Sequence, residues 1–172
     1  QAAGATVGAP SLVITKGVIA SDNPSALISP APPADPSALT ADSDVSGVDA
    51  ADEITFLVTV QNIGSTEAFN VRIDDPVLAP FSCSEPVSGD IVNGSGTPLA
   101  FSGNLADGLQ LAASLQENDG SVGAPYSTDT ALLTLRCTLD SSVEPRQSYR
   151  NEAGVTWTSV ADPSQPFTRV SD

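Results

Sequence analysis

One stretch, Ile54–Asn62, constrains the fold more than any other part of this chain. Its residues alternate, with Ile54, Phe56, Val58 and Val60 on one side and the intervening residues on the other. A period of two in β-branched and aromatic residues is typical of a strand with one face in a core. The stretch therefore predicts a half-buried strand that other strands must cover.

Similar patterns recur along the 172 residues, and no helical periodicity extends beyond a turn or two. Further strands are predicted at 11–18, 69–75, 99–102, 108–112, 131–139 and 149–160, with an edge strand at 167–170. Many short strands separated by Gly, Pro, Asn and Asp predict an all-β chain folded as an immunoglobulin-like β-sandwich. A chain of this length is predicted to form a single domain over residues 1–172.

A proline-rich segment interrupts this pattern after the first strand. Residues 19–41 contain five prolines, and acidic residues follow up to position 51. Proline at this density removes strand hydrogen-bond donors and favours an extended backbone. Residues 19–51 are therefore predicted to be an insertion that packs on its own domain or on a neighbouring copy. Residues 1–10, which are small and uncharged, are predicted to be an N-terminal arm.

The charge balance excludes several classes of function. The formal net charge is −15, with 21 acidic residues against 6 basic ones. Such a field repels phosphate backbones and anionic lipid, so neither nucleic-acid binding nor membrane binding is expected. No apolar run is long enough to cross a bilayer. Histidine is absent, which removes the commonest general base, and no set of residues predicts an enzyme.

The two cysteines, Cys83 and Cys137, indicate the compartment. The chain begins at Gln1 rather than Met, which a removed signal sequence or a cut fragment would explain. In an exported, loop-rich chain a disulfide is favoured over two buried thiols. An extracellular or cell-surface location is therefore predicted.

Four segments resemble the DUF11 repeat domain, namely Ser11–Lys16, Asp52–Gly64, Ala68–Asp75 and Tyr149–Trp157. They match that family's "ITK" opening strand, its "YTLTVTN.G" and "NVTVTD.LP" strands, and its "NTATV" closing strand. The insertion at 19–51 is longer than usual in the family, and the "LP" element is displaced at Pro76.

The resemblance implies an immunoglobulin-like module of large exported proteins, some of them fimbrial and isopeptide-forming. The predicted function is a structural subunit or repeat of an extracellular filament, pilus or cell-surface protein. Its expected partners are other copies of itself or adjacent repeats. The alternative is an adhesin-type domain that recognises carbohydrate or a cell-surface protein through its loops.

Three polar side chains are predicted to point into the apolar interior. Alternation places Lys16 with Ile14, Asp75 with Ile73, and Asn151 with the apolar residues of the last long strand. A buried charge costs several kcal/mol unless it is paired, so these groups should meet. Burial would favour a neutral lysine amine that attacks the asparagine carboxamide, with a protonated Asp75 polarising the carbonyl. The family resemblance supports this autocatalytic isopeptide bond. The alternative is an ordinary Lys16–Asp75 ion pair, or a lysine at the rim.

A second candidate site lies at the end of the insertion, where residues 42–53 fit a calcium-loop spacing. The predicted calcium ligands are Asp42, Asp44, Ser46, the carbonyl of Val48, and Glu53. Asp49 stands where a hydrophobic residue is usual, and no helices are expected on either side. The alternative is an acidic, solvated loop.

A sequon at Asn93-Gly94-Ser95, on a predicted loop, makes Asn93 a candidate for N-glycosylation.

Overall fold

The computed structural model describes residues 8–35, 42–76, 79–118, 128–144 and 147–171. Within these ranges the chain forms strands and no helix. The strands are β1 (Leu12–Ser21), β2 (Leu27–Ser29), β3 (Asp44–Ser46), β4 (Glu53–Asn62), β5 (Phe69–Asp74), β6 (Phe81–Cys83), β7 (Ile91–Asn93), β8 (Phe101–Asn104), β9 (Gly108–Leu111), β10 (Thr130–Leu139), β11 (Gly154–Thr158) and β12 (Thr168–Ser171). A helix able to cross a membrane is accordingly not found in the described ranges.

Two five-stranded antiparallel sheets pack face to face. The first has the order β1-β4-β10-β6, and β7 also pairs with β10. The second has the order β12-β11-β5-β9-β8. Consecutive strands β4 and β5 lie in different sheets, which is the arrangement of a sandwich rather than a meander. The predicted all-β, immunoglobulin-like sandwich is confirmed.

The alternation in β4 builds the centre of the core. Ile54, Phe56, Val58 and Val60 are all buried, and the last two have no exposed surface. The opposite face of β4 is also partly covered, because Leu57 packs with Leu132 of β10 in a small outer cluster. β4 is therefore apolar on both faces at its middle.

The described part of the proline-rich insertion packs against its own domain. β2 and β3 form a two-stranded sheet, and Ile28, Val45 and Val48 pack on the main core. Ser43 anchors this sheet to β1: its carbonyl accepts from the Val18 amide at 3.0 Å, and its hydroxyl donates to the Val18 carbonyl at 2.7 Å. Residues 36–41 of the insertion and 1–7 of the arm lie outside the described ranges.

Two predicted boundaries differ from the observed ones for reasons of pairing. β11 begins at Gly154 rather than at residue 149. Gly154 lies opposite Asp74 of β5 and Ser171 of β12, and these are the final residues of both neighbouring strands that pair with β11. Residues 149–153 therefore have no ladder partner there. Conversely, the segment before the Asn93 sequon, which was predicted to lie on a loop, forms β7, because Ile91–Asn93 pairs with residues 131–133 of β10.

Candidate functional site

Lys16 is a buried cation in the middle of an apolar sheet face. It lies on β1 directly across from Val58, which in turn lies across from Leu133 of β10. Its side chain is only 2% exposed, and its Nζ forms an ion pair with Asp75. The Nζ also sits 4.9 Å from the centroid of the Phe56 ring, within range of a cation–π contact.

Asp75 follows the last residue of β5 and is fully buried. Its Oδ2 contacts Lys16, whereas its Oδ1 has no hydrogen-bond partner among the described residues. Burial raises the pKa of Asp75, because the charged carboxylate is poorly solvated there. The positive charge and hydrogen bond of Lys16 act in the opposite direction, and the neighbouring Asp74 adds to the increase. The net effect is a raised pKa of Asp75.

Asn151 lies in the segment that leads into β11. Its Oδ1 and Nδ2 are both buried and have no hydrogen-bond partner within the described chain. Lys16, Phe56 and Asn151 line the same cleft of about 760 Å³. Because Gly154 lies opposite Asp74 on an antiparallel neighbour, the chain running back from Gly154 passes Asp75 before it reaches Asn151.

This arrangement leaves an unusual number of polar atoms uncompensated. A buried donor or acceptor without a partner costs about 1–3 kcal/mol, and such groups are few in folded proteins. Three such atoms occur here, one on Asp75 and two on Asn151. A buried amine, a carboxyl with a raised pKa, and a carboxamide without hydrogen-bond partners among the described residues are the groups needed for amide exchange.

Cys83 and Cys137 form a disulfide, as predicted. They lie directly opposite each other on β6 and β10. The bond therefore fastens the short β6 to a central strand of the first sheet.

Four of the predicted calcium ligands, Asp42, Asp44, Ser46 and Val48, line the same cleft as Lys16, whereas Glu53 is not among its lining residues. Asp44 and Ser46 belong to β3, and Glu53 starts β4, where its amide donates to Asp22 at 2.8 Å. Asp52 makes the local contacts, since it accepts from the Asp49 amide at 2.6 Å and from Asn23 at 2.7 Å. Among the described residues, no three His, Cys, Asp or Glu side chains form a group that could hold a metal. Calcium binding stays a prediction.

Asn93 is buried at the end of β7 rather than displayed on a loop. Its Oδ1 accepts from the Ser95 amide at 3.1 Å, the Ser95 hydroxyl at 2.9 Å and the Thr97 amide at 2.9 Å. The side chain thus closes the turn that follows β7. Glycosylation also stays a prediction, and it would require this side chain to leave the turn.

Sequence analysis missed the importance of Asn62, which ends β4 and is fully buried. Its Nδ2 donates to the carbonyls of Thr66 and Gln116, each at 2.8 Å. Its Oδ1 accepts from the amides of Ser11 at 3.2 Å and Gly64 at 3.0 Å. One side chain thereby ties together three separate segments. The detectable signal was an Asn two residues before a Gly at the end of a strand.

Comparison with known proteins supports the fold. No family model matches the chain, and no curated protein matches it. Among solved structures, the chain is similar to a variant of the major pilin subunit of Bacillus cereus, with a TM-score of 0.54 over 94% of this chain. The sequence identity is 7%, and the chain spans 38% of the length of that pilin subunit. At this identity the likeness concerns the fold alone.

Proposed function

We propose that the chain is a structural module of an extracellular pilus, filament or cell-surface protein, tied internally by an isopeptide bond between Lys16 and Asn151. The observation that carries the proposal is the buried Lys16–Asp75 pair together with the Asn151 carboxamide, which lines the same cleft as Lys16 and whose two polar atoms are both buried and unpartnered among the described residues. An ordinary ion pair would account for the first two residues but not for the buried, unpartnered polar atoms of Asn151.

The proposed reaction needs no co-reactant. The neutral amine of Lys16 attacks Cγ of Asn151, so that an Nζ–Cγ bond forms and the Cγ–Nδ2 bond breaks. Asp75, protonated, donates to the carboxamide oxygen as negative charge develops there, and then passes a proton to the leaving nitrogen. Nδ2 departs as ammonia, and the proton lost by the lysine nitrogen restores the Asp75 carboxyl. The product amide offers one N–H and one carbonyl to the two Asp75 oxygens.

Such a bond would join the two sheets. β1 belongs to the first sheet, and the segment before β11 enters the second. The bond would close a loop of about 135 residues, which in the chain-entropy model contributes about 5 kcal/mol. A link of this kind, together with the disulfide, suits a unit that must stay folded in an exposed assembly.

Three further observations support a surface-assembly role. The fold is shared with a pilin subunit, the disulfide fits an oxidising location, and the net charge of −15 disfavours nucleic acid and anionic lipid as partners. We assign other copies of the chain, or adjacent repeats, as its partners, with residues 1–10 or 19–41 contributing to the joint. Membership of the DUF11 domain family is part of this proposal.

Intact-mass spectrometry of the purified protein tests the bond directly. The wild type is expected to weigh one ammonia less than its sequence after allowance for the disulfide, whereas Asn151→Ala is expected to have its full mass. Tandem spectra should then place residues 16 and 151 in one branched peptide. A loss of one water in place of ammonia would put the bond on Asp75. An unmodified wild-type mass would remove the isopeptide bond from the proposal.

A second cleft gives the adhesin alternative a specific observation. It measures about 610 Å³ and is lined by Phe69 together with neutral hydrogen-bonding side chains. Those side chains are Asn70, Asn93, Ser114, Gln116, Thr128 and Thr130. No charged residue is among its described lining residues, although the chain as a whole is strongly acidic. Neutral amides and hydroxyls beside an aromatic ring fit a neutral saccharide better than an ion.

Amide NMR titration with a panel of neutral monosaccharides and disaccharides separates the two functions. Binding at this cleft would shift the side-chain amide signals of Asn70 and Gln116 and leave those of Asn23 in place. Fibre formation by the purified protein, with no such shifts, would favour the filament module.

A further inference from the structure

An exposed ion pair lies on the opposite face of β5 from the proposed cross-link. Asp74 immediately precedes Asp75, so their side chains point to opposite faces of the sheet. Arg169 of β12 reaches Asp74 with two parallel hydrogen bonds, Nη1 to Oδ1 at 2.6 Å and Nη2 to Oδ2 at 2.7 Å. A bidentate pair of this geometry is stronger and more directional than a single surface contact.

Gly154 makes room for this pair. The guanidinium of Arg169 passes over β11 at Gly154, where an added Cβ would lie 2.4 Å from Nη2 of Arg169 and 3.1 Å from Oδ2 of Asp74. Gly154 also lies opposite Asp74 on one side and Ser171 on the other. The pair therefore clamps β5, β11 and β12 at the point from which the chain continues to Asp75 in one direction and Asn151 in the other.

The pair also sets the charge beside Asp75. Asp74 contributes to the raised pKa of Asp75, and the Arg169 cation neutralises Asp74. Among the described residues, Lys16 of β1 also lies against Asp75 and carries charge. Farther away, the Glu85 carboxylate accepts from the Leu105 amide at 3.0 Å. The Leu105 carbonyl in turn accepts from the Asp75 amide at 3.1 Å.

On either side of Asn151 in the chain, Arg150 and Glu152 form an exposed ion pair at 2.8 Å. Since these two charges compensate each other in solvent, Asp74 and Arg169 are the pair that acts on the site from outside the core.

We infer that Arg169 is a positioning residue for the Lys16–Asn151 cross-link, holding Asp75 and the segment that carries Asn151 in the reacting arrangement through Asp74. The inference rests on the proposed isopeptide bond. Lys16 lies on the first strand and Arg169 on the last described strand, β12. The bond would therefore form faster once β12 has docked, which favours an irreversible step after both described sheets have assembled.

The test follows cross-linking in time after cell-free translation of the full chain, using the loss of ammonia as the readout over a range of pH. Arg169→Gln is expected to slow the reaction about tenfold or more, since the reacting groups lose their alignment. It should also shift the high-pH limb of the pH–rate profile to higher pH, because an uncompensated Asp74 raises the pKa of Asp75 further. Arg169→Lys keeps the charge and should keep the position of that limb.

Two further variants separate charge from folding. Asp74→Asn combined with Arg169→Gln removes both charges and should return the limb to its wild-type position while the rate stays low. Gly154→Ala keeps every charge but displaces the guanidinium, so it should slow the reaction even where Arg169→Gln does not fold. A wild-type rate and profile in both Arg169→Gln and Gly154→Ala would overturn the inference, while the isopeptide bond would stand. A wild type that never loses ammonia would overturn both.

Discussion

Replacing Lys16 by Met tests whether the interior carries a charge that depends on a single partner. The comparison is made in the Asn151→Ala background, where no cross-link can form and the Lys16–Asp75 pair remains. The lysine side chain is 2% exposed and the aspartate side chain 0%, so solvent cannot replace the lost partner. Removing one member of a buried pair typically costs about 3–5 kcal/mol. We expect a loss of that size in the free energy of unfolding at neutral pH.

The same substitution has a predicted pH dependence. The folded-state pKa of Asp75 is raised, so the stability that its protonated form contributes is complete below the unfolded value near 3.8 and is lost as pH rises through the folded value. Lys16→Met removes the two influences that oppose burial, which raises the pKa of Asp75 further. The loss of stability should therefore be small in acid and grow toward neutral pH.

Denaturant unfolding followed by the fluorescence of buried Trp157 measures both effects. Adding Asp75→Leu to Lys16→Met should recover most of the loss, because an apolar pair of similar volume needs no partner. Arg150→Met, which breaks the exposed Arg150–Glu152 pair, serves as a control and should change stability by less than about 1 kcal/mol. A Lys16→Met loss below about 1 kcal/mol at neutral pH, or one independent of pH, would refute the reasoning.

Three further outcomes are expected. Asn62→Ala should cost about 3–5 kcal/mol, because it leaves several buried backbone groups unpaired. Asn104→Ala, at the end of β8 where the side-chain hydrogen bond to Asp107 is exposed, should cost far less; equal losses would contradict the role given to Asn62. Replacing both Cys83 and Cys137 by Ala should lower the free energy of unfolding by at most about 4 kcal/mol, the loop-closure contribution for a separation of 54 residues. An unchanged denaturation midpoint would show that the disulfide does not stabilise the fold. A chelator should leave the melting temperature unchanged, because no three acidic side chains among the described residues form a group that could hold a metal; a rise on adding calcium would instead support the calcium-loop prediction.

The sequence by itself determined which side chains face the core. Strand alternation is a local property of the pleated backbone, so it identified the buried faces of β1, β4 and β5 and placed Lys16 and Asp75 inside. It placed the three candidate residues on inward faces but carried no information on their separation. The same local logic missed β3 and β7, because three-residue strands in Pro-, Gly- or Ser-rich segments show no period of two.

Only the tertiary structure decided which inward-facing residues meet. The cost of burying a charge indicated that Lys16 should meet a polar partner, but the contact with Asp75, 59 residues away, exists because β1 and β5 lie in sheets that close over one another. Likewise, Arg169 reaches Asp74 only because Gly154 lies between them in the register of three strands. The physical reason is that a strand's faces are set by its own backbone, whereas its neighbours are set by the burial of apolar surface from the whole chain.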